Sequence, residues 1–136
     1  MKTIILDGSN IIRNMYNTQL GLDFDKEKLL ADSLVRAISC LNENEALRVE
    51  IYFDGPKREI YHPKEPVSVF FSKKKKADDL IVNSVFETKD YLGGEVLVIT
   101  TDNELINRCK IYGAQTMRTS DFLYRYYDAI EQFGQA

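Results

Sequence analysis

Short apolar runs alternate with longer amphipathic segments along the chain. The apolar runs are rich in Val, Ile and Phe and are bounded by turn residues, which predicts strands at residues 3–6, 48–53, 67–71, 95–100 and 114–117. Between them, apolar residues recur every three or four positions, as in Leu30, Leu34, Ala37, Ile38 and Leu41. That spacing places one apolar stripe on a helix over residues 26–42, with Asp25 as its predicted cap.

The same spacing predicts helices over residues 11–16, 77–89, 102–112 and from 119 or 120 to about 133. Residues 20–24 are expected to form a loop, and residues 57–66 an irregular segment broken by Pro63 and Pro66. Strands that alternate with helices in this way indicate an α/β fold with a mainly parallel sheet. No linker or repeat interrupts the pattern, so we expect one domain over residues 1–136.

An aspartate stands at or soon after the end of four predicted strands. Asp7 follows the first strand, Asp54 the second and Asp102 the fourth, while the third leads through lysines to Asp78. In an open parallel sheet, ligands bind beyond the carboxyl ends of the strands, so these residues should converge. Crowded carboxylates repel one another, and Mg²⁺ or Mn²⁺, which prefer oxygen ligands, would relieve the repulsion. Such ions support phosphodiester hydrolysis.

Each aspartate also has a simpler structural explanation. Asp7 and Asp54 precede glycine, as in a turn, and Asp78 and Asp102 stand where aspartate commonly caps a helix. Because all four fall at one edge of the sheet, a metal site is the better explanation of the set. Further candidates for this site are Asn10 as a direct polar partner, and Ser9, Asp79, Thr101 and Glu104 as supporting or surface residues.

The charge is unevenly distributed. The net charge of −3 does not favour a nucleic-acid-binding protein, but residues 56–76 contain six lysines and Arg58 against two glutamates, which makes this segment +5. Within it, Arg58, Lys73, Lys74, Lys75 and Lys76 are candidates to hold a phosphate backbone next to the site, or else are solvated surface residues. The tyrosines at 124, 126 and 127 could stack on bases, although packing is the commoner role.

The two cysteines, Cys40 and Cys109, lie in apolar helical patterns and have no metal-binding spacing with each other or with His62, the only histidine. They are therefore expected to be buried, reduced thiols. No apolar run has the length of a signal or transmembrane segment. We accordingly expect a cytoplasmic protein without a membrane partner.

Several motifs resemble the NYN branch of the PIN-like nucleases, and in particular the YacP-like proteins. They occur in family order over nearly the whole chain: residues 5–12 (ILDGSNII), 52–55 (YFDG), 69–72 (VFFS), 77–81 (ADDLI), 98–102 (VITTD), Gly113 with Ala114, and Ser120 with Phe122. The resemblance implies a three-layer Rossmann-like fold with strand order 3-2-1-4-5 and helices on both faces. It also implies metal-dependent endoribonuclease activity, and the family includes a ribosome-associated endonuclease that cuts messenger RNA.

Matched motif by motif, the resemblance assigns catalysis to Asp7, Asn10, Asp78 and Asp102, and metal binding to Asp7, Asp78 and Asp102 with Asp54 nearby. The implied cofactor is Mg²⁺ or Mn²⁺. The implied partner is messenger, transfer or ribosomal RNA, with the ribosome as a further candidate. Metal count, cleavage preference, structured DNA as a substrate, and a monomeric or homodimeric state all stay open.

Three other functions compete with a nuclease. A non-catalytic RNA- or ribosome-binding module on the same fold would gain nothing from four clustered carboxylates. An aspartyl-nucleophile phosphatase usually has a second aspartate two residues after the first, where this chain has Ser9. A nucleotide-cofactor enzyme of the Rossmann type would need a Gly-x-Gly-x-x-Gly motif after the first strand, and none is present.

Overall fold

The computed structural model describes residues 2–16, 23–41 and 47–134. Strands and helices follow one another in the order β1 Lys2–Asp7, α1 Gly8–Tyr16, α2 Phe24–Leu41, β2 Leu47–Phe53, β3 Val67–Phe71, α3 Ala77–Glu87, β4 Glu95–Ile99, α4 Asn103–Ile111, β5 Gln115–Met117 and α5 Thr119–Gly134. A π-helical turn, Thr88–Leu92, extends α3.

The five strands form one sheet in the order β3-β2-β1-β4-β5, and every pair is parallel. Strand β1 lies at the centre, where Ile4 pairs with Val49 on one side and Leu97 on the other. The predicted fold class and strand order are thus confirmed. Parallel pairing also places the carboxyl ends of all five strands at the same edge of the sheet.

Apolar residues cover both faces of the sheet. On one face, α1, α2 and α5 pack over residues that include Leu6, Ile51 and Phe53. On the other face, α3 and α4 pack over residues that include Ile5 and Val98. Neighbouring positions of β1 therefore point into different clusters, because side chains alternate along a strand. The result is the predicted three-layer arrangement with helices on both faces.

Some predicted boundaries are wrong for local reasons. Helix α1 begins at Gly8, three residues earlier than expected, because Asp7 caps it. Helix α2 begins at Phe24 and is capped by Asp23, whose carboxylate accepts the N–H of Lys26 at 2.8 Å, so Asp25 is not the cap. Of the loop expected at residues 20–24, positions 20–22 lie outside the described residues, as does the predicted helix end at Asn42.

The prediction for the cysteines is half right. Cys109 is fully buried against α3 and β4, whereas Cys40 is exposed near the end of α2. The helical spacing placed Cys40 next to the apolar stripe of α2, but it could not show whether Cys40 lies within the buried stripe or beside it. Within the described part of the chain, no helix is long and apolar enough to span a membrane.

Candidate active site

Asp7 is the most buried of the predicted site carboxylates. It ends the central strand β1, and only 3% of its surface is exposed. One oxygen, Oδ1, accepts the backbone N–H of Asn10 at 3.3 Å and so caps α1, while Oδ2 accepts the hydroxyl of Thr100 at 2.9 Å. Capping and site formation are therefore not alternatives here, because the same carboxylate serves both.

Burial raises the pKa of Asp7 from its ordinary value of 3.8 to about 6. The nearby charge of Asp78 raises this pKa further, and the hydrogen bonds from Thr100 and Asn10 and the charge of Arg13 lower it only in part. The protein thus holds a carboxylate where its ionised form is poorly stabilised. A strongly perturbed pKa produced by burial and a like charge is a common property of functional sites.

Asp54 connects the end of β2 with the start of α3. Its Oδ1 accepts the N–H of Ala77, the first residue of α3, at 2.9 Å, and its own N–H donates to Ser9 Oγ at 2.8 Å. One residue later, the N–H of Gly55 donates to Ser72 Oγ at 2.9 Å. These contacts hold the carboxyl ends of β2 and β3 against the first turns of α1 and α3.

Asp78, in the first turn of α3, interacts electrostatically with the other three aspartates. Its pKa is raised by partial burial first, and then by the charges of Asp102 and Asp54, against a smaller lowering by Arg108. The charge of Asp78 in turn raises the pKa of Asp7. The structure therefore brings all four predicted carboxylates into one electrostatically coupled group.

Asp102 follows β4, which flanks β1 on the side opposite β2, and caps α4. Its Oδ1 accepts the N–H groups of Glu104 and Leu105 at 3.0 and 3.2 Å, and its own N–H donates to Thr100 Oγ1 at 3.2 Å. Thr100 is fully buried and also donates to Asp7. This hydroxyl therefore couples the positions of Asp7 and Asp102.

Asn10 is held by the ends of two other elements. Its Oδ1 accepts the backbone N–H and the hydroxyl of Thr101 at 3.1 and 2.8 Å, and the hydroxyl of Thr119 at 2.7 Å. Because a backbone N–H can only donate, these contacts assign Oδ1 rather than Nδ2 to this position. The Nδ2 group of Asn10 donates no hydrogen bond to any residue in the part of the chain that the structure describes.

The predicted supporting residues have different roles. Ser9 is buried and fixes the end of β2 through Asp54, and Thr101 fixes Asn10. Asp79 lies on the exposed side of α3 and pairs with Arg108 at 2.9 Å. Asp79 therefore contacts a surface arginine rather than the coupled carboxylates.

The basic segment divides into two parts. Lys73, Lys74, Lys75 and Lys76 are exposed in the turn between β3 and α3, directly before the site. The guanidinium of Arg58 is instead largely buried and makes two hydrogen bonds to Glu27, at 2.9 and 3.1 Å, and one to the carbonyl of Pro56 at 2.9 Å. Arg58 thus anchors its segment to α2 through Glu27, whereas the four lysines are exposed to solvent.

The donor set fits a hard divalent cation in its chemistry. Among the described residues, no group of three or more His, Cys, Asp or Glu side chains is placed so that it could hold a metal ion. Mg²⁺ does not require such a cage, since it usually retains several waters and binds through one or two carboxylates together with substrate phosphates. Four coupled carboxylates at an open sheet edge are compatible with that mode of binding.

Sequence reasoning missed two residues of the site. Thr100 had a usable signal, because it is a polar residue at the end of a buried strand and next to a predicted aspartate. Thr119 had none, since its contact with Asn10 joins residues 109 positions apart. Contacts of that separation follow from strand order and not from any local pattern.

The chain belongs to the family of YacP-like NYN domains, whose model matches residues 4–135. This is a family of nuclease-like, RNA-associated domains. The match confirms the resemblance seen in the sequence motifs. A search of curated proteins found no match.

Two solved structures share the fold. The crystal structure of Rae1 (YacP) from Bacillus subtilis has 18% sequence identity and a TM-score of 0.71, covering 99% of this chain and 79% of that one. The crystal structure of its W164L mutant has 21% identity and a TM-score of 0.70, covering 97% and 78%. At these identities the similarity establishes the fold only. The chemistry has to be argued from the residues of the site.

Proposed function

We propose that this protein is a divalent-metal-dependent endoribonuclease that hydrolyses phosphodiester bonds of RNA. One observation carries the proposal: the fold gathers Asp7, Asp54, Asp78 and Asp102 at one sheet edge, where burial and mutual repulsion raise the pKa values of Asp7 and Asp78. A protein that only bound RNA would gain nothing from negative charge at this place, because RNA is itself an anion.

In this proposal, one or two of the carboxylates of Asp7, Asp78 and Asp102 would hold Mg²⁺ or Mn²⁺ directly, with Asp54 nearby, and the others would contact the waters that the ion retains. When bound there, the ion would supply positive charge and a water of lowered pKa. Thr100 keeps Asp7 and Asp102 in fixed positions through its two hydrogen bonds.

Other groups of the chain would orient the substrate. The Nδ2 group of Asn10 donates to a phosphate oxygen, since Oδ1 of the same amide is already occupied. The exposed lysines at positions 73–76 attract the strand toward the site and hold the neighbouring phosphates. Messenger, transfer and ribosomal RNA are all candidate substrates, and the ribosome is a candidate partner.

The test is cleavage of single-stranded and structured RNA by the purified protein with Mg²⁺ or Mn²⁺, and with EDTA. Asp7→Asn and Asp78→Asn should each abolish cleavage and leave the protein folded. Asp90→Asn is the matched control, because Asp90 is exposed in the π-helical turn that follows α3. Cleavage that persists in EDTA, or in both site variants, would refute the proposal.

If the wild-type protein cuts neither free RNA nor ribosome-bound RNA, a non-catalytic RNA- or ribosome-binding module on the same fold becomes the better assignment. Binding of the same RNAs without turnover would then identify that function.

A further inference from the structure

A groove runs beside β3, the edge strand of the sheet that lies next to β2. It has a volume of about 530 Å³, which lies within the range of roughly 300–1,000 Å³ that is typical of ligand pockets. Its walls come from residues 57–65, from β3 and its following turn, and from the first turn of α3. The residues that matter to its chemistry are Lys57, Phe70 and Lys73. We call it the β3 groove.

The cations of the β3 groove are available to a ligand. Lys57 and Lys73 are both exposed, and neither forms an ion pair with any described residue, whereas the Arg58 charge is neutralised by Glu27. One acidic residue, Glu65, also lines the groove and is exposed. The surrounding segment, residues 56–76, nevertheless has a charge of +5 in a chain of net charge −3. The groove therefore suits an anionic ligand.

Phe70 gives this charged groove an aromatic surface. The residue is 38% exposed although it belongs to a strand, and its ring stacks on Tyr52 with a centroid separation of 4.9 Å and an interplanar angle of 19°. Packing on the sheet thus holds an exposed aromatic ring in a fixed position. Rings of this kind, combined with lysines that follow the backbone, are how proteins bind unpaired nucleotides.

The β3 groove adjoins the candidate active site through Lys73. The backbone N–H of Lys73 donates to the carbonyl of Gly55 at 2.7 Å, one residue after Asp54. The chain then passes directly through three further exposed lysines to Asp78. One end of the groove therefore lies at the segment that leads to the coupled carboxylates.

We propose that the β3 groove binds a single-stranded segment of RNA on one side of the scissile phosphate, with a base stacked on Phe70 and phosphates bound by Lys57 and Lys73. This inference takes RNA as the substrate from the proposed function, and it adds where the RNA strand lies on the protein. It selects single-stranded RNA, because the bases of a duplex are stacked on each other and offer no free face to an aromatic side chain.

The test measures RNA affinity without cleavage, by fluorescence anisotropy of a labelled single-stranded RNA in EDTA with the Asp7→Asn protein as background. Adding Phe70→Leu, which keeps an apolar side chain and removes the ring, should weaken binding about tenfold, the order expected for one lost base stack. Adding Lys57→Gln with Lys73→Gln should make the slope of log affinity against log salt shallower by about 1.4, since each phosphate contact contributes about 0.7.

Two controls make these results specific. Lys110→Gln changes an exposed lysine at the far end of α4 and should leave the affinity and the salt slope unchanged. Tyr124→Leu removes the most exposed tyrosine of α5, with 93% of its surface accessible, and should also have no effect. Lys57 and Lys73 are exposed, so replacing them should not disturb the core. If Phe70→Leu fails to fold, the double lysine variant therefore still tests whether the groove binds RNA.

The inference is overturned if both groove variants bind as tightly as the background protein, if Tyr124→Leu rather than Phe70→Leu weakens binding, or if duplex RNA binds as tightly as the single strand. Because no cleavage is measured, failure of the proposed function is seen separately. If the wild-type protein binds RNA through the groove but never cuts it, only the proposed nuclease function is refuted. If the protein cuts RNA and the groove variants cut it equally well, only the proposed role of the groove is refuted.

Discussion

Replacing Asp7 by asparagine should stabilise the metal-free protein at neutral pH, although the same change should abolish cleavage. Asp7 is 3% exposed, and its pKa is raised from 3.8 to about 6, mainly by burial. At about 1.4 kcal/mol for each tenfold change in proton affinity, this difference corresponds to about 3 kcal/mol of stability that is lost when Asp7 ionises in the folded state. Asparagine has no charge to bury and therefore escapes that loss.

The sign follows from the protons that each state binds. Between pH 3.8 and about 6 the folded protein keeps the Asp7 proton and the unfolded chain has released it, so stability falls as the pH rises. Below this window both states are protonated, and above it both are ionised. The advantage of Asp7→Asn should thus be small in acid, grow through the window and level off above it.

The hydrogen bonds allow the substitution. An amide at position 7 can keep its oxygen toward the N–H of Asn10 and direct its nitrogen toward the hydroxyl oxygen of Thr100. No cavity forms, because the two side chains have nearly the same shape. The change therefore removes the charge, keeps the shape and reverses the direction of the hydrogen bond with Thr100.

The assay is urea unfolding of both proteins in EDTA from about pH 4.5 to about pH 8. The difference in unfolding free energy, variant minus wild type, should increase by about 2 kcal/mol over this range. Added Mg²⁺ should stabilise the wild type and have less effect on Asp7→Asn. A difference that stays constant with pH, or a variant that is less stable at neutral pH, would refute the reasoning.

Three further substitutions test the packing around the site, each by urea unfolding at neutral pH. Gly8→Ala should cost about 1–3 kcal/mol, because the added carbon would lie 2.6 Å from an aromatic ring carbon of β2; wild-type stability would contradict the close approach. Thr100→Val should cost about 1–3 kcal/mol and raise the pKa of Asp7 further, and Thr100→Ser should restore both. Arg58→Gln should cost about 3 kcal/mol by leaving Glu27 without its partner, with RNA affinity of the folded protein unchanged; a loss of affinity at unchanged stability would instead make Arg58 an RNA contact.

Much of the fold could be predicted because its signals are local. Buried parallel strands appear as continuous apolar runs, and the α2 stripe of Leu30, Leu34 and Ala37 has helical spacing and is buried in the structure. The helix boundaries were less predictable. At the start of α2, for example, the sequence offers Asp23 and Asp25 as equally good caps. Only the hydrogen bond to Lys26 distinguishes them.

The residues of the candidate site could be predicted from the sequence, but their hydrogen-bond and ion-pair partners could not. Aspartates at strand ends must converge if the strands are parallel, so Asp7, Asp54, Asp78 and Asp102 could be grouped from their positions alone. The different role of Arg58 could not be predicted, because its partner Glu27 is 31 residues away. The outward position of Asp79 depends in the same way on Arg108, on another helix.

The sequence by itself therefore determined the fold class, the family and the carboxylates at the strand ends, because each depends on the order of residues along the chain. The tertiary structure alone decided how those carboxylates behave. A pKa near 6 for Asp7 requires burial beneath packed helices and the approach of Asp78 from another element, and the positions of Asn10 and Thr100 require contacts across the sheet. Burial and electrostatic coupling depend on distances between atoms. Those distances are set only when the sheet and its helices pack, so they cannot be read from the order of residues along the chain.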